Sequence, residues 1–335
     1  MIFMAVVLLA VGGMYSIAEW YIWTQRHQPL RLGVTFIADY ASALGVEPHE
    51  TLTAILHDLH PHEVRLVSYW SDIEPSPGQY NFSELDWEFQ QVAAAGSTVS
   101  LAIGLRQPRW PECHPPQWVN TTTPAVNWQP QLEQFMTTVI NRYKTNPALN
   151  SYQLENEFFL SAFGQCTDFS RSRLVSEAQL VKALDPNHTL IISRSNNAIG
   201  FPIGQPRPDE FGVSVYKRVW DKTITKRYFE YPFPAWFYGF LAGGGKLLTG
   251  KNLIIHELQA EAWPPGNYDI KDAPVSELYK SMSPARLQGR FAYAEGSGIK
   301  QIDLWGVEWW YQMKAKRGQP ALWDTAKTEF AKNVQ

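Results

Sequence analysis

A chain of 335 residues with 45% hydrophobic and 18% charged side chains is long and apolar enough for one large core, which excludes a disordered polypeptide. Its formal net charge of −3, without a basic patch interleaved with aromatics, excludes the usual electrostatic footprint of nucleic-acid binding. Aromatic residues make up 14%, with 14 Trp, and many stand beside Pro, Gly and polar residues rather than within apolar runs. That distribution suits a surface that stacks on flat apolar faces such as sugar rings.

From Ile2 to Trp23 the sequence is apolar except for Glu19 and a few small or polar positions. About 22 residues at ~1.5 Å each cover a bilayer core of about 30 Å. Ser16 and Ala18 are spaced like a signal-peptide cleavage site, but the basic leading region of a signal peptide is missing. We therefore expect an uncleaved membrane anchor over residues 1–24, a polar linker over 25–30 and one barrel domain over 31–335. Arg26 and Arg31 follow the segment and nothing basic precedes it, which by the positive-inside rule alone would keep the domain cytoplasmic.

Beyond the linker, strand-like and helix-like segments alternate. The expected strands are Leu32 to Ala38, Val64 to Ser68, Thr98 to Gly104, Ser151 to Glu157, Thr189 to Ser193, Phe211 to Tyr216, Asn252 to Glu257 and Gln301 to Trp305. Apolar residues at three- and four-residue spacing predict helices between them, as over Leu52 to Leu59, Leu85 to Ala95, Leu132 to Tyr143 and Leu174 to Leu184. Eight such units in about 300 residues argue for a closed (β/α)8 TIM barrel over an open doubly wound sheet. The first strand is not followed by a Gly-rich dinucleotide fingerprint. In a barrel, all strand C-terminal ends face one mouth, where barrel enzymes keep their chemistry.

The strand ends carry the polar residues. Asp39 and Tyr40 close the first strand, as substrate ligands or as turn caps. Arg65 lies within an apolar second strand, where a guanidinium requires an acidic partner. After it comes Trp70-Ser71-Asp72-Ile73-Glu74-Pro75-Ser76-Pro77-Gly78-Gln79-Tyr80-Asn81-Phe82, then Leu85-Asp86. This run of spacings resembles the retaining clan-A glycoside hydrolases. Pro77-Gly78 supplies a turn and Tyr80 and Phe82 can bury beneath a helix, so the signature reads as scaffold and Glu74 as non-catalytic. Trp110 and Trp118, in the loop after the third strand, are sugar platforms or folded rim aromatics. Cys113 in that loop and Cys166 after the fourth strand are the only cysteines, either a disulfide suited to an extracytoplasmic domain or two free thiols.

Gln153-Leu154-Glu155-Asn156-Glu157-Phe158 resembles the clan's Asn-Glu motif in the form found in its β-galactosidase families, with Phe158 where cellulase-like members often have Pro. The resemblance implies Glu157 as acid/base and Asn156 as a ligand of the sugar 2-hydroxyl. Retaining hydrolysis needs a second carboxylate about 5 to 5.5 Å away. Leu253-Ile254-Ile255-His256-Glu257 resembles the nucleophile strand, which implies Glu257 as nucleophile, with Glu261 in the same loop as its rival. By the same resemblance Arg65 contacts the nucleophile, Tyr216 hydrogen-bonds it, and Trp305 lies under the sugar. Glu308, Trp309 and Trp310 would extend that wall.

These residues predict a membrane-tethered glycosidase that cleaves a β-linked oligo- or polysaccharide by double displacement. A transglycosidase on the same residues and an inactive sugar-binding barrel are the alternatives. No metal or organic cofactor and no nucleic acid is expected. We place the barrel on the extracytoplasmic side of a membrane, or secreted if the leading segment is cleaved. Residues 228–248, aromatic and then Gly-rich, fit a lid, a second membrane contact or ordinary helix packing.

Overall fold

The computed structural model describes residues 2–196, 200 and 204–333. The strands are β1 Arg31–Thr35, β2 Glu63–Val67, β3 Thr98–Ile103, β4 Leu149–Leu154, β5 Thr189–Ser195, β6 Glu210–Val215, β7 Arg218–Asp221, β8 Arg227–Glu230, β9 Asn252–Gln259 and β10 Gln301–Trp305. Eight of them close a barrel in the order β1-β10-β9-β6-β5-β4-β3-β2, while β7 and β8 form a separate antiparallel ribbon. Each segment expected to be a strand contributes one barrel strand, and the fold is a (β/α)8 barrel. The chain divides into two compact units: His62–Ser214, and the residues up to Pro61 together with those from Val215 onward.

Within His62–Ser214, β2 to β6 pair in parallel. Parallel strands are covered on both faces, so they read as nearly continuous apolar runs; β3 is buried from Val99 to Ile103. Three of the polar exceptions share one register row: Arg65 lies opposite Ser100 and Ser100 opposite Ser151, with Ser151 donating to Ser100 over 2.9 Å. Helix Gln129–Tyr143 buries Leu132, Phe135, Met136, Val139, Ile140 and Tyr143, the 3.6-residue stripe that drives it onto the strands. Asp86 joins it to helix Ser83–Ala94 by accepting from Arg142 and Tyr143, and the hydrogen bond from Arg142 lowers the Asp86 pKa. Glu74 accepts from the Trp70 indole and the Gly78 amide. The Trp70 to Asp86 signature is scaffold, as its turn residues suggest.

In the other unit, β1, β10 and β9 are parallel. Helix Pro48–Leu59 starts with Glu47 accepting from the Glu50 amide, and it buries Thr51, Leu52, Ile55, Leu56 and Leu59. On its outer face Asp58 accepts from the Trp323 indole at 2.8 Å, Lys327 at 3.2 Å and Lys314 at 3.3 Å. That one carboxylate ties three helices. Residues 228–248 form the end of the β7/β8 ribbon and most of helix Ala235–Thr249, on which helix Ile2–Gln25 packs. The leading helix runs through Gln25.

Phe135 is fully buried and stacks on Trp70 with ring centroids 5.7 Å apart. Phe135→Ala is expected to lower unfolding free energy by about 3–5 kcal/mol, read as a shift in urea midpoint at unchanged slope. Val126→Ala, at a site 77% exposed, is expected to stay within about 0.5 kcal/mol of the parent.

Candidate active site

The alternation of β4 ends at Leu154, three residues before the strand end expected at Glu157. Glu155 (φ 51°) and Glu157 (φ 43°) both adopt left-handed backbone, a conformation that costs about 1–3 kcal/mol in a non-glycine residue and persists only when surroundings over-determine it. The restraints are plain. The buried Glu155 carboxylate accepts from the amides of Leu105 (2.7 Å) and Arg106 (3.1 Å) and from Arg173 (3.0 Å). Gly104 makes room for it, since a Cβ there would lie 2.4 Å from Glu155 Oε1. The Asn156 amide donates to the Arg106 carbonyl, and Arg106 Nε donates to the Asn156 carbonyl. The Glu157 amide donates to Ser193 Oγ at 3.0 Å.

The Asn156 side chain is equally fixed. It donates to Glu112 at 3.0 Å and accepts from Gln153 Nε2 at 2.9 Å. Gln153 in turn accepts from Arg65 at 3.2 Å, so the buried Arg65 reaches the Asn-Glu turn through one amide. Arg106 faces Glu112 at 3.4 Å, and Cys113, next to Glu112, forms a disulfide with Cys166. The two cysteines are thus paired. Behind the turn, Arg173 serves Glu155, Glu177 and Asp168 together. Burial and the neighbouring Glu155 charge hold the Glu177 carboxyl well above the usual range, so of the three acids on Arg173 this one is largely neutral. Arg106, Glu112 and Ser193 carry no motif, and only their contacts identify them.

In the second unit, the nucleophile candidate sits on an irregular strand. Ile302 of β10 pairs with Ile255, but Leu304 pairs with Leu258, so His256 and Glu257 together oppose Asp303. This is a β-bulge, a device that re-aims a side chain. His256 Nε2 lies 3.4 Å from Asp303 in the interior, and Glu257, 4% exposed, accepts a short hydrogen bond from the Tyr216 hydroxyl. Gln259 accepts from the amides of Lys217 and Arg218 and donates to the Arg218 carbonyl, which fixes the backbone just after Tyr216. Trp263 meets the Tyr216 ring edge-on at 5.4 Å.

The aromatic wall expected after β10 is different. Trp309 and Trp310 are fully buried, Trp310 donating to the Ala260 carbonyl, so neither offers a ring face to a sugar. Glu308 is buried and accepts from the Ile37 amide, a bond that closes the end of β1. Their apolar helix spacing overrode their place beside a strand end. Trp305, at the end of β10, is 6% exposed. Trp110 is 53% exposed and meets Phe163 edge-on, whereas Trp118 donates to the Glu74 carbonyl beside Trp70. Glu261 packs against Gly306, where a Cβ would lie 2.3 Å from its own.

His114, in the loop after β3, stacks on Tyr69 at 3.6 Å, and burial pushes its pKa down to about 4 despite the Arg109 carbonyl beside it. Its folded pKa lies below the ordinary 6.5, so its contribution is complete above pH 6.5 and declines as pH falls through 4. Stability is expected to drop by up to about 3 kcal/mol across that window, and His114→Phe to remove this part of the slope in urea titrations at pH 7 and pH 4.5. Arg173→Ala, which strands Glu155, is expected to cost about 3–5 kcal/mol in the same assay at pH 7.

The family model for β-galactosidases of glycoside hydrolase family 42 matches residues 47–131. No curated protein sequence matches. Among solved structures, an exo-β-1,4-mannosidase from Opitutaceae bacterium strain TAV5 superposes with a TM-score of 0.61 at 13% identity, over 91% of this chain and 60% of that one. A β-galactosidase from the Antarctic haloarchaeon Halorubrum lacusprofundi gives 0.56 at 13% identity, over 90% and 58%. A family 5 subfamily 18 variant from Bifidobacterium longum subsp. longum, in complex with Manβ1-4GlcNAc, gives 0.60 at 12% identity, over 90% and 78%. The chain thus spans about three-fifths of the length of the first two. A family match confined to one segment and a fold match over nearly the whole chain agree in one respect: this protein is similar to the (β/α)8 glycoside hydrolases.

Proposed function

We propose that this protein is a retaining β-glycosidase in which Glu157 is the acid/base and Glu257 the nucleophile. The observation that carries the proposal is the Tyr216 hydroxyl donating to Glu257 on the β9 bulge. A phenol on one carboxylate oxygen orients the group. The fixed turn from Glu155 to Glu157, with both glutamates in left-handed backbone, supports the second role, because strain of this kind gathers where a side chain must be aimed.

In the first step a Glu257 oxygen bonds to the anomeric carbon as the bond to the leaving oxygen breaks, and the Glu157 proton passes to that oxygen. In the second, the Glu157 carboxylate takes a proton from water, the water oxygen bonds to the anomeric carbon, and Glu257 departs as carboxylate. Asn156 would meet the sugar 2-hydroxyl with its remaining amide hydrogen, Arg65 would brace the Asn-Glu turn through Gln153, and Trp305 and Trp110 would pack on sugar rings. Similarity to a β-galactosidase family and to a β-mannosidase directs the substrate search to β-linked galactose and mannose.

Residues 1–24 would anchor the protein in a membrane and residues 31–335 would carry catalysis. The helix Ile2–Gln25 is apolar enough to span, and the Cys113–Cys166 disulfide suits an oxidising, extracytoplasmic location.

With the full chain in detergent and a panel of aryl β-glycosides, Glu157→Gln and Glu257→Gln are each expected to lower turnover by about 10³-fold or more. Undiminished turnover in either variant would overturn its assignment. Tyr216→Phe is expected to lower kcat about 10- to 100-fold, the loss of one charge-assisted hydrogen bond.

A further inference from the structure

The two halves of helix Ile2–Gln25 have different surroundings. Every residue from Phe3 to Gly13 is exposed, whereas Met14, Ile17, Ala18, Tyr21, Ile22 and Gln25 are wholly or partly covered. The covered set recurs at three- and four-residue spacing, which marks one face of a helix. That face lies on helix Ala235–Thr249 and its neighbours. Gly243 brings the backbones close, because a Cβ there would stand 3.0 Å from the Ile17 side chain, the Ile17 carbonyl and Tyr21 Cβ. Gly298 would place a Cβ 2.9 Å from Ile22 Cα, and Tyr15 meets Trp236 edge-on at 5.5 Å.

Length then sets the depth. The exposed half, 11 residues, covers only ~16 Å, while a hydrocarbon core of about 30 Å needs about 20 residues. A spanning helix must therefore immerse residues through about Trp20, including Tyr15 and Ile17, which meet helix Ala235–Thr249 at Trp236 and Gly243. Trp20 and Trp23, 41% and 61% exposed, then fall at the membrane–water boundary where indoles concentrate. The partner helix must go to lipid depth with them.

Resting on the reading of Ile2–Gln25 as a membrane anchor, we propose that helix Ala235–Thr249 is a second lipid-contacting element, seated in the acyl and headgroup boundary of a phospholipid bilayer. Its composition fits that place. No charged residue occurs from Tyr231 to Gly245, Leu247 and Leu248 are each 60% exposed, and the lone Lys246 is exposed and can reach the headgroups. Leu247, Leu248 and the apolar helix beside them give lipid a continuous surface with the anchor, so the barrel is clamped to the bilayer rather than hung from it by a slack tether.

The described cysteines are both in the disulfide, so an added one labels uniquely. The full chain carrying Leu248→Cys, Leu8→Cys or Val126→Cys would be labelled with an environment-sensitive fluorophore and reconstituted into phosphatidylcholine–phosphatidylglycerol vesicles. The label at Leu248 is expected to shift to the blue, to be quenched by lipid-borne nitroxide and to be shielded from aqueous iodide, as at Leu8 and unlike at Val126. A Leu248 label in water while the Leu8 label is in lipid would overturn the proposal and leave the anchor standing. Both labels in water would overturn the anchor as well.

Discussion

A buried carboxylate that is not itself a catalytic candidate holds the Asn-Glu turn in place. Glu155 accepts from two successive backbone amides of the loop after β3 and from Arg173. Those bonds compensate a burial that would otherwise cost several kcal/mol, and they fasten the end of β4 to the end of β3. Asn156 and Glu157 follow directly. Their backbone takes its conformation from Glu155 before it and from Arg106 and Ser193 around it. A glycine at position 104 is part of the same arrangement, because any side chain there would occupy the space of the carboxylate.

Glu257 is held by different means. An extra residue in β9 opens the strand, Tyr216 reaches the carboxylate, and Gln259 secures the chain on which Tyr216 stands. One carboxylate is thus aimed by a strained turn and the other by a bulge. Both devices displace a side chain from where regular strand geometry would leave it. Buried hydrogen bonds hold each device, from Glu155, Arg106 and Ser193 at the turn and from Tyr216 and Gln259 at the bulge.

Helix Ile2–Gln25 links composition to placement. All-round apolarity suits it to lipid, yet its second half also has a protein-facing stripe matched by glycines on helix Ala235–Thr249. This helix and the helix it packs on therefore share one packed seam. A signal peptidase cut after Ala18 would remove part of that seam and uncover apolar helix surface.

The sequence by itself determined the eight strands, the helices between them and the carboxylates near two strand ends, because burial of a parallel strand or a helix face is written as a local period in apolar residues. It also identified the Trp70 to Asp86 run as scaffold, since turn residues act locally. Only the tertiary structure decided the pairing of Cys113 with Cys166, the early end of β4 at Leu154, the bulge at His256 and Glu257, and the burial of Trp309 and Trp310. Arg106 and Glu112 likewise joined the Asn-Glu turn only through their partners. Each of these depends on residues far apart in the chain, where close contact, hydrogen-bond saturation and exclusion of water set the outcome and no spacing in the sequence records it.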